Sequence, residues 1–309
     1  MAKTREIKGR MKAVANIRRI TKTMQLIATA RFQASQKRAV AAQPYTRKIA
    51  ELVGEVATTL RAAGEGAAGV THPLLTPPSP AVNRQLVLII TSNRGLCGGY
   101  NASLLRTAVA HLRELRGQTP APHVDIDVVG KKGLAFLKFT RHEIHAHLAQ
   151  FTDKPDYAAV DALAEQYMKA FTGGEYDAVK VVYMRFISTA RQSPTVLTLL
   201  PLQPPEVKDA GAAAAGVAGK AESAADYDFS PDPASLLAEL LPVTVKTQLF
   251  QCFNEAVVSE QVARMVAMKA ATDAAGKMGK QLTRQYNRAR QTAITTELSE
   301  IISGAAALE

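Results

Sequence analysis

The chain has 309 residues, 47% hydrophobic and 6% aromatic, and its 38 Lys and Arg against 27 Asp and Glu leave a formal charge of +11. Residues 1–50 hold 13 basic residues and one acid, Glu6, so the rest of the chain is near neutral at −1. No stretch of about 18 uninterrupted apolar residues exists to span a membrane as a helix. The charged start MAKTREIKGRMKAV is not expected to act as a secretory signal. Two cysteines, Cys97 and Cys252, are too few for a disulfide scaffold, which makes a reducing compartment the expectation.

Residues 3 to about 60 read as one long helix. Ile7, Met11, Val14, Ile17, Met24, Ile27, Ala34, Ile49, Leu52, Val56 and Leu60 recur at three- and four-residue steps or their sums, between positions rich in Lys, Arg, Gln and Thr. Pro44 removes one backbone donor and is expected to kink the helix. The segment AAGEGAAGVTHPLLTPPSP then stops it.

Residues 85–90 form a short continuous apolar run, the signature of a strand buried on both faces. The turn SNRGLCGGYN follows, then a helix over 102–116, a strand over 123–129 and a second helix over 131–139. A helix over 155–171 and strands over 178–187 and 195–200 complete a small α/β unit with a mainly parallel sheet. Residues 206–226 are Ala- and Gly-rich with almost no large apolar group, and are expected to form a flexible surface loop. Pro233 suits the first turn of a final helix running to about residue 302, with Pro242 inside it. Its stripe comprises Val258, Val262, Met265, Met268, Ala275, Met278, Leu282, Tyr286, Ala289 and Ala293, weakened at Gly276 and Gly279.

The expected divisions are an N-terminal shaft helix (1–62), an α/β domain (63–234) and a C-terminal shaft helix (235–309). Helices of 55 to 60 residues are about 80 to 90 Å long. An α/β domain of 150 residues is about 40 Å across. Both helices must therefore project beyond it, and two projecting amphipathic helices bury their stripes against each other as a coiled coil.

Chemistry-bearing motifs are scarce. The loop at 92–101 follows a strand and opens a helix, where phosphate sites often sit, but it is neither G-x-G-x-x-G nor a P-loop. Gly130-Lys131-Lys132-Gly133 fails in the same way. His142, Glu143, His145 and His147 lack the H-E-x-x-H spacing that places two ligands on one helical face, so a solvated segment is the expectation. No nucleophile or carboxylate lies in a catalytic signature, and no cofactor or metal is expected. The basic N-terminal helix admits two readings, a partner-facing coiled-coil helix or a nucleic-acid-binding one.

Four segments carry a resemblance. Ile20-Thr21-Lys22-Thr23-Met24-Gln25-Leu26-Ile27-Ala28, the loop Arg94-Gly95-Leu96-Cys97-Gly98-Gly99 with Asn101, the segment from Ser259 to Asp273, and the segment from Tyr286 to Leu298 resemble, in order, the signatures of the F-type ATP synthase gamma subunit. The resemblance implies an antiparallel coiled coil of terminal helices on a Rossmann-like α/β domain, acting as a rotating shaft without catalytic residues. It implies three alpha and three beta subunits, epsilon, delta and the c-ring as partners, no nucleic acid and no direct membrane insertion. Peripheral attachment at the cytoplasmic face of the bacterial inner membrane is implied too. By the same resemblance, Met24, Arg290, Gln291, Thr295 and Glu297 are coupling contacts with the beta subunits. The stretch 209–225 departs from the family pattern, as an inert insertion or a regulatory latch. Ser92 and Asn93 stand where the family usually has Thr-Asp. Cys97 and Cys252 do not match the cysteine pair of some photosynthetic relatives, so thiol switching is not expected.

Overall fold

A computed structural model describes residues 2–62, 72–76, 83–152, 154–202 and 233–306; the Ala- and Gly-rich loop expected at 206–226 lies outside them. In chain order the elements are α1 (Ala2–Ala62), β1 (Arg84–Ile90), α2 (Tyr100–Arg116), β2 (His123–Val129), α3 (Lys131–Phe139), β3 (Ala146–His147), α4 (Tyr157–Thr172), β4 (Ala178–Phe186), β5 (Gln192–Leu200) and α5 (Pro233–Ala306). The expected class is met: a five-stranded α/β sheet with a long helix at either end of the chain. Pro44 and Pro242 both lie inside continuous helices, and Pro233 opens α5. Sequence reading missed the two-residue β3, which lies in the histidine segment read as solvated surface.

Contacts divide the chain into two units. The first comprises Met1–Arg31, Leu96–Gly98 and Val262–Glu309, and the second Phe32–Gly95 and Gly99–Gln261. The first holds 16 basic and five acidic residues, the second 22 of each, so the whole net charge of +11 belongs to the first.

In the second unit the strand order is β3-β2-β1-β4-β5, parallel throughout except for β4–β5. β5 lies at the edge and contains Pro194, where a missing backbone donor is tolerated. Leu86, Leu88 and Ile90 of β1 join Val179, Val181 and Tyr183 of β4 in one core with Val160, Leu163 and Phe171 of α4 and Leu241, Val245, Leu249 and Phe253 of α5. Val87 and Ile89 turn to the other face and are fully buried, as are Leu104, Ala108 and Leu112 of α2. Two carboxylates interrupt the apolar lining. Asp127 accepts hydrogen bonds from the Tyr167 hydroxyl at 2.8 Å and bonds His145 Nδ1 at 2.9 Å. Asp125 accepts from the Tyr176 hydroxyl at 2.9 Å and from Arg84 Nε and Nη2 at 2.9 and 2.7 Å.

Burial pushes the Asp125 carboxyl up, but the hydrogen bonds from Tyr176 and Arg84 and the Arg84 charge outweigh it, leaving a net value below the ordinary 3.8. A carboxylate whose folded value is depressed contributes stability that is complete above 3.8 and lost as pH falls through the lowered value. Asp125→Asn should therefore cost about 2 to 3 kcal/mol at pH 7. In denaturation series the gap to wild type should narrow below pH 3.8. A gap that does not change with pH would exclude this role.

In the first unit the helices form a coiled-coil seam. On α1, Ile7, Met11, Val14, Thr21 and Gln25 are half-buried and Ala28 fully buried, a four-three alternation completed by Arg18. On α5 the matching positions are Met268, Thr272, Ala275, Gly279, Leu282, Tyr286, Ala289 and Ala293. The Thr272 hydroxyl donates to the Thr21 hydroxyl at 2.8 Å, while a Cβ on Gly276 would stand 3.7 Å from the Arg18 side-chain Nε. Three residues back along α1 thus correspond to four forward along α5, so the helices run antiparallel. Three expected seam residues are corrected, because Ile17, Ile27 and Met278 are 51%, 50% and 53% exposed. Thr21, Gln25 and Gly279 take those levels, and Ala34 is exposed where Ser35 is buried. Over Thr21, Gln25 and Ala28 on α1 and Thr272, Ala275 and Gly279 on α5 the seam is made of small and polar residues.

Candidate functional site: the glycine loop and the exposed shaft faces

The loop between β1 and α2 stands at the carboxyl end of β1, where parallel sheets commonly bind phosphates. Asn101 closes it: its Nδ2 donates to Ser92 Oγ at 2.7 Å, its Oδ1 accepts from the Ser92 amide at 3.1 Å, and Ser92 Oγ reaches the Arg94 carbonyl at 2.7 Å. Leu96 and Gly98 adopt left-handed conformations, with φ of 63° and 57°. Cys97 is buried, and Arg94, Leu96, Gly98 and Gly99 are exposed. Gly95, half-buried, has room for a Cβ only 3.5 Å from the Lys132 side chain.

The amide donors at the start of α3 that could hold a phosphate are already engaged. At the start of α3, the Lys131 amide donates to Asn93 Oδ1, the Lys132 amide to the Ser92 carbonyl and the Gly133 amide to Thr91 Oγ1. Asn93 also donates through Nδ2 to the Phe151 carbonyl at 3.2 Å. An aspartate there has no donor for that carbonyl, which gives this departure from the family pattern a physical consequence. The crevice beside the loop is filled as well. Phe151 and Phe253 stack with ring centres 4.5 Å apart, and the Tyr100 hydroxyl donates to the Ala256 carbonyl at 3.2 Å. Only about 20 Å³ remains, whereas a small-molecule site needs about 300 Å³ or more. The loop is a packed strand-to-helix junction.

The histidine segment is divided in the same way. His145 pairs with Asp127, His142 Nδ1 lies 2.9 Å from the Thr140 hydroxyl, and Glu143 and His147 are exposed. Among the described residues, no three His, Cys, Asp or Glu side chains group closely enough to hold a metal. Cys97 and Cys252 are both buried free thiols; burial, then the nearby Glu255 charge, pushes the Cys252 thiol far up.

The first unit offers a different kind of site. Arg290, Gln291, Thr295 and Glu297 are exposed on α5, with the Thr295 hydroxyl donating to the Gln291 carbonyl at 3.0 Å. At 100° per residue, Arg290, Gln291 and Thr295 share an arc of about 140° with Ile294, Leu298, Ile301 and Ile302, opposite the seam. Those four apolar residues are 56% to 69% exposed. α1 carries a second stripe of the same kind: Ile17, Ile20, Met24 and Ile27, spaced three, four and three, with Met24 half-buried and the others exposed. Sequence reading listed Ile17, Met24 and Ile27 as seam because this stripe has the seam's own period. Contiguous exposed apolar surface on a soluble helix marks an interaction face.

A family profile described as ATP synthase matches residues 3–308. The chain is 45% identical to the ATP synthase gamma chain of Rhodopirellula baltica and 38% identical to that of Leptospira biflexa, in each case over the full length of both chains. Its fold is similar to a chain in the rotor of the Euglena gracilis mitochondrial ATP synthase, with a TM-score of 0.61 and 18% identity over 95% of this chain and 99% of that one. A chain from the central stalk and c-ring of the Tetrahymena thermophila enzyme has a TM-score of 0.52 at 18% identity, covering 82% and 99%. On the full-length identity to its relatives, the chain belongs to the ATP synthase gamma chain family.

Proposed function

We propose that this chain turns as the central-stalk rotor of an F1Fo ATP synthase, coupling proton flow to ATP synthesis or hydrolysis at beta subunits and so regulating ATPase activity. A gamma chain is a non-catalytic subunit, and the filled crevice beside the loop suits that role. The observation that carries the reading is the pair of exposed apolar stripes on a unit holding the entire net charge of +11. Such a surface is costly in water and favourable inside a sleeve of other subunits. In this reading helices 1–62 and 235–309 are the shaft and residues 63–234 the domain that meets epsilon and the c-ring. Three alpha and three beta subunits surround the shaft, and delta belongs to the same complex. No described helix is long and apolar enough to cross a membrane, and we place the chain peripherally at the cytoplasmic face of a bacterial inner membrane. The nucleic-acid reading of the basic helix finds no support in the relatives named above, both gamma chains.

Met24, Arg290, Gln291, Thr295 and Glu297 are the proposed contacts with the beta subunits. Arg290 can make charge-assisted hydrogen bonds to carboxylates there, each worth about 1.5 to 3 kcal/mol. Arg290→Ala should lower ATP-driven proton pumping by roughly tenfold, the equivalent of about 1.4 kcal/mol. The melting temperature of the free chain should not move. Pumping and assembly equal to wild type would remove Arg290 from the contact set. Failure of the wild-type chain to co-purify with alpha and beta subunits would sink the rotor reading itself.

A further inference from the structure

The second unit has an open groove of about 330 Å³ between α2 and the edge of the sheet. Its wall is one face of α2, with Thr107, Ala110, His111 and Glu114 at steps of three, one and three. Its floor is Lys180 of β4, the cross-strand neighbour of Thr198, together with Val196 of β5. Three features point outward from the fold. Lys180 is half-buried and forms no ion pair among the described residues, and burial holds its ammonium below the ordinary lysine value, with Glu114 only partly offsetting this. Burial first and then the Lys180 charge hold His111 below the ordinary histidine value, with Glu114 partly offsetting this, and its buried Nε2 has no partner among the described residues. Finally, β5 is nine residues long without one charged side chain, half-exposed from Gln192 to Thr198, and among the described residues its backbone pairs only with β4.

Each of these is unusual in an isolated chain. Edge strands are normally blunted by charges, proline, bulges or a covering element, because a bare edge invites another strand; β5 has Pro194 near its start but no charged side chain from Thr195 to Leu200. A half-buried lysine that forms no ion pair and is only partly offset by Glu114 is likewise under-compensated. Both are resolved by the same occupant, and Lys180 is the only cation facing the groove among its lining residues.

We propose that β5 and this groove receive one extended strand of a partner protein, which pairs with the β5 main chain and sets an acidic side chain against Lys180. This is strand addition, in which backbone bonds supply affinity and a side-chain pocket supplies selectivity. The inference rests on the central-stalk reading only in taking the partner from the assembled complex.

The test is made on the purified complex with a water-soluble carbodiimide, which joins an amine to a touching carboxylate without a spacer. Mass spectrometry should find Lys180 joined to an Asp or Glu of another subunit. Outward-facing amides between Thr195 and Leu199 should exchange about tenfold or more slowly in the complex than in the free full-length chain. Lys180→Arg should keep the partner, and Lys180→Met should lower its recovery by roughly threefold or more while the alpha and beta subunits remain bound. Three results would overturn the inference: Lys180 joined only to Glu114, equal exchange in both states, or protection of Lys180 in the free chain by acetate or inorganic phosphate alone. A chain that recovers no alpha or beta subunit overturns the stalk reading and this inference with it. One that recovers them with Lys180 still open overturns this inference alone.

Discussion

Gly130→Ala should destabilise the α/β unit by about 2 to 5 kcal/mol, since left-handed strain of about 1 to 2 adds to overpacking of about 1 to 3. Gly130 has a φ of 93°, and a Cβ there would sit 2.4 Å from the Thr91 carbonyl oxygen and 2.6 Å from Thr91 Oγ1. Neither atom is free to retreat. The Thr91 amide and hydroxyl both donate to the Val129 carbonyl, at 2.9 and 2.7 Å, and the same hydroxyl accepts from the Gly133 amide at 2.9 Å. The glycine is what lets β1 and the start of α3 pass at this distance. Two neighbouring substitutions calibrate the result. Gly98→Ala, with a φ of 57° but its nearest neighbour at 3.7 Å, should cost about 1 kcal/mol. Gly99→Ala, with nothing within 4 Å, should stay within about 0.5. Chemical denaturation of the full-length variants checks the order, and a Gly130→Ala midpoint equal to that of Gly99→Ala would refute the close-passage argument.

The shaft predicts an opposite pair of outcomes on one helix. Ala28 is 1% exposed in the seam, and Ala28→Asp buries an uncompensated carboxylate at a cost of about 3 kcal/mol or more. Ile20 is 59% exposed on the other stripe, so Ile20→Asp should leave the free chain's stability within about 0.5 kcal/mol. Thermal melts followed by circular dichroism at helical wavelengths should separate the two. In the complex, Ile20→Asp should still reduce recovery with alpha and beta subunits, because its cost is met only where a partner covers the stripe. If Ala28→Asp melts with wild type, the seam assigned here is wrong. If Ile20→Asp assembles normally, the stripe is not an interface.

Much of the α/β unit was legible residue by residue. The run at 85–90 could only be a strand covered on both faces, and Gly99, Gly117 and Gly173 bracket helices whose apolar faces repeat every three or four positions. β3 was not legible, since two residues carry no period. The buried partners of Asp125 and Asp127 were also hidden, because Arg84, Tyr167 and Tyr176 lie 40 to 51 positions away along the chain. On α1 the signal was misleading in a specific way. Two apolar stripes share one helix and one period, and over residues 17–28 the larger side chains, Ile17, Ile20 and Ile27, are on the exposed one.

Periodicity, glycine placement and four ordered motifs are local properties of the chain, and they were enough to specify the helices, four of the five strands and the family. The sequence by itself also showed that +12 of charge lies in residues 1–50. Only the tertiary structure decided which face of each helix is seam, because burial depends on which surface the partner helix covers and hydrophobicity alone does not record it. It regrouped the charge too: residues 262–309 add seven bases and four acids, bringing the whole +11 into the coiled-coil unit and leaving the other unit neutral. Finally, it filled the crevice at the β1 loop with Phe151, Tyr100 and Phe253. That outcome rests on side chains as far apart as Tyr100 and Phe253, brought together only when α5 packs against the sheet.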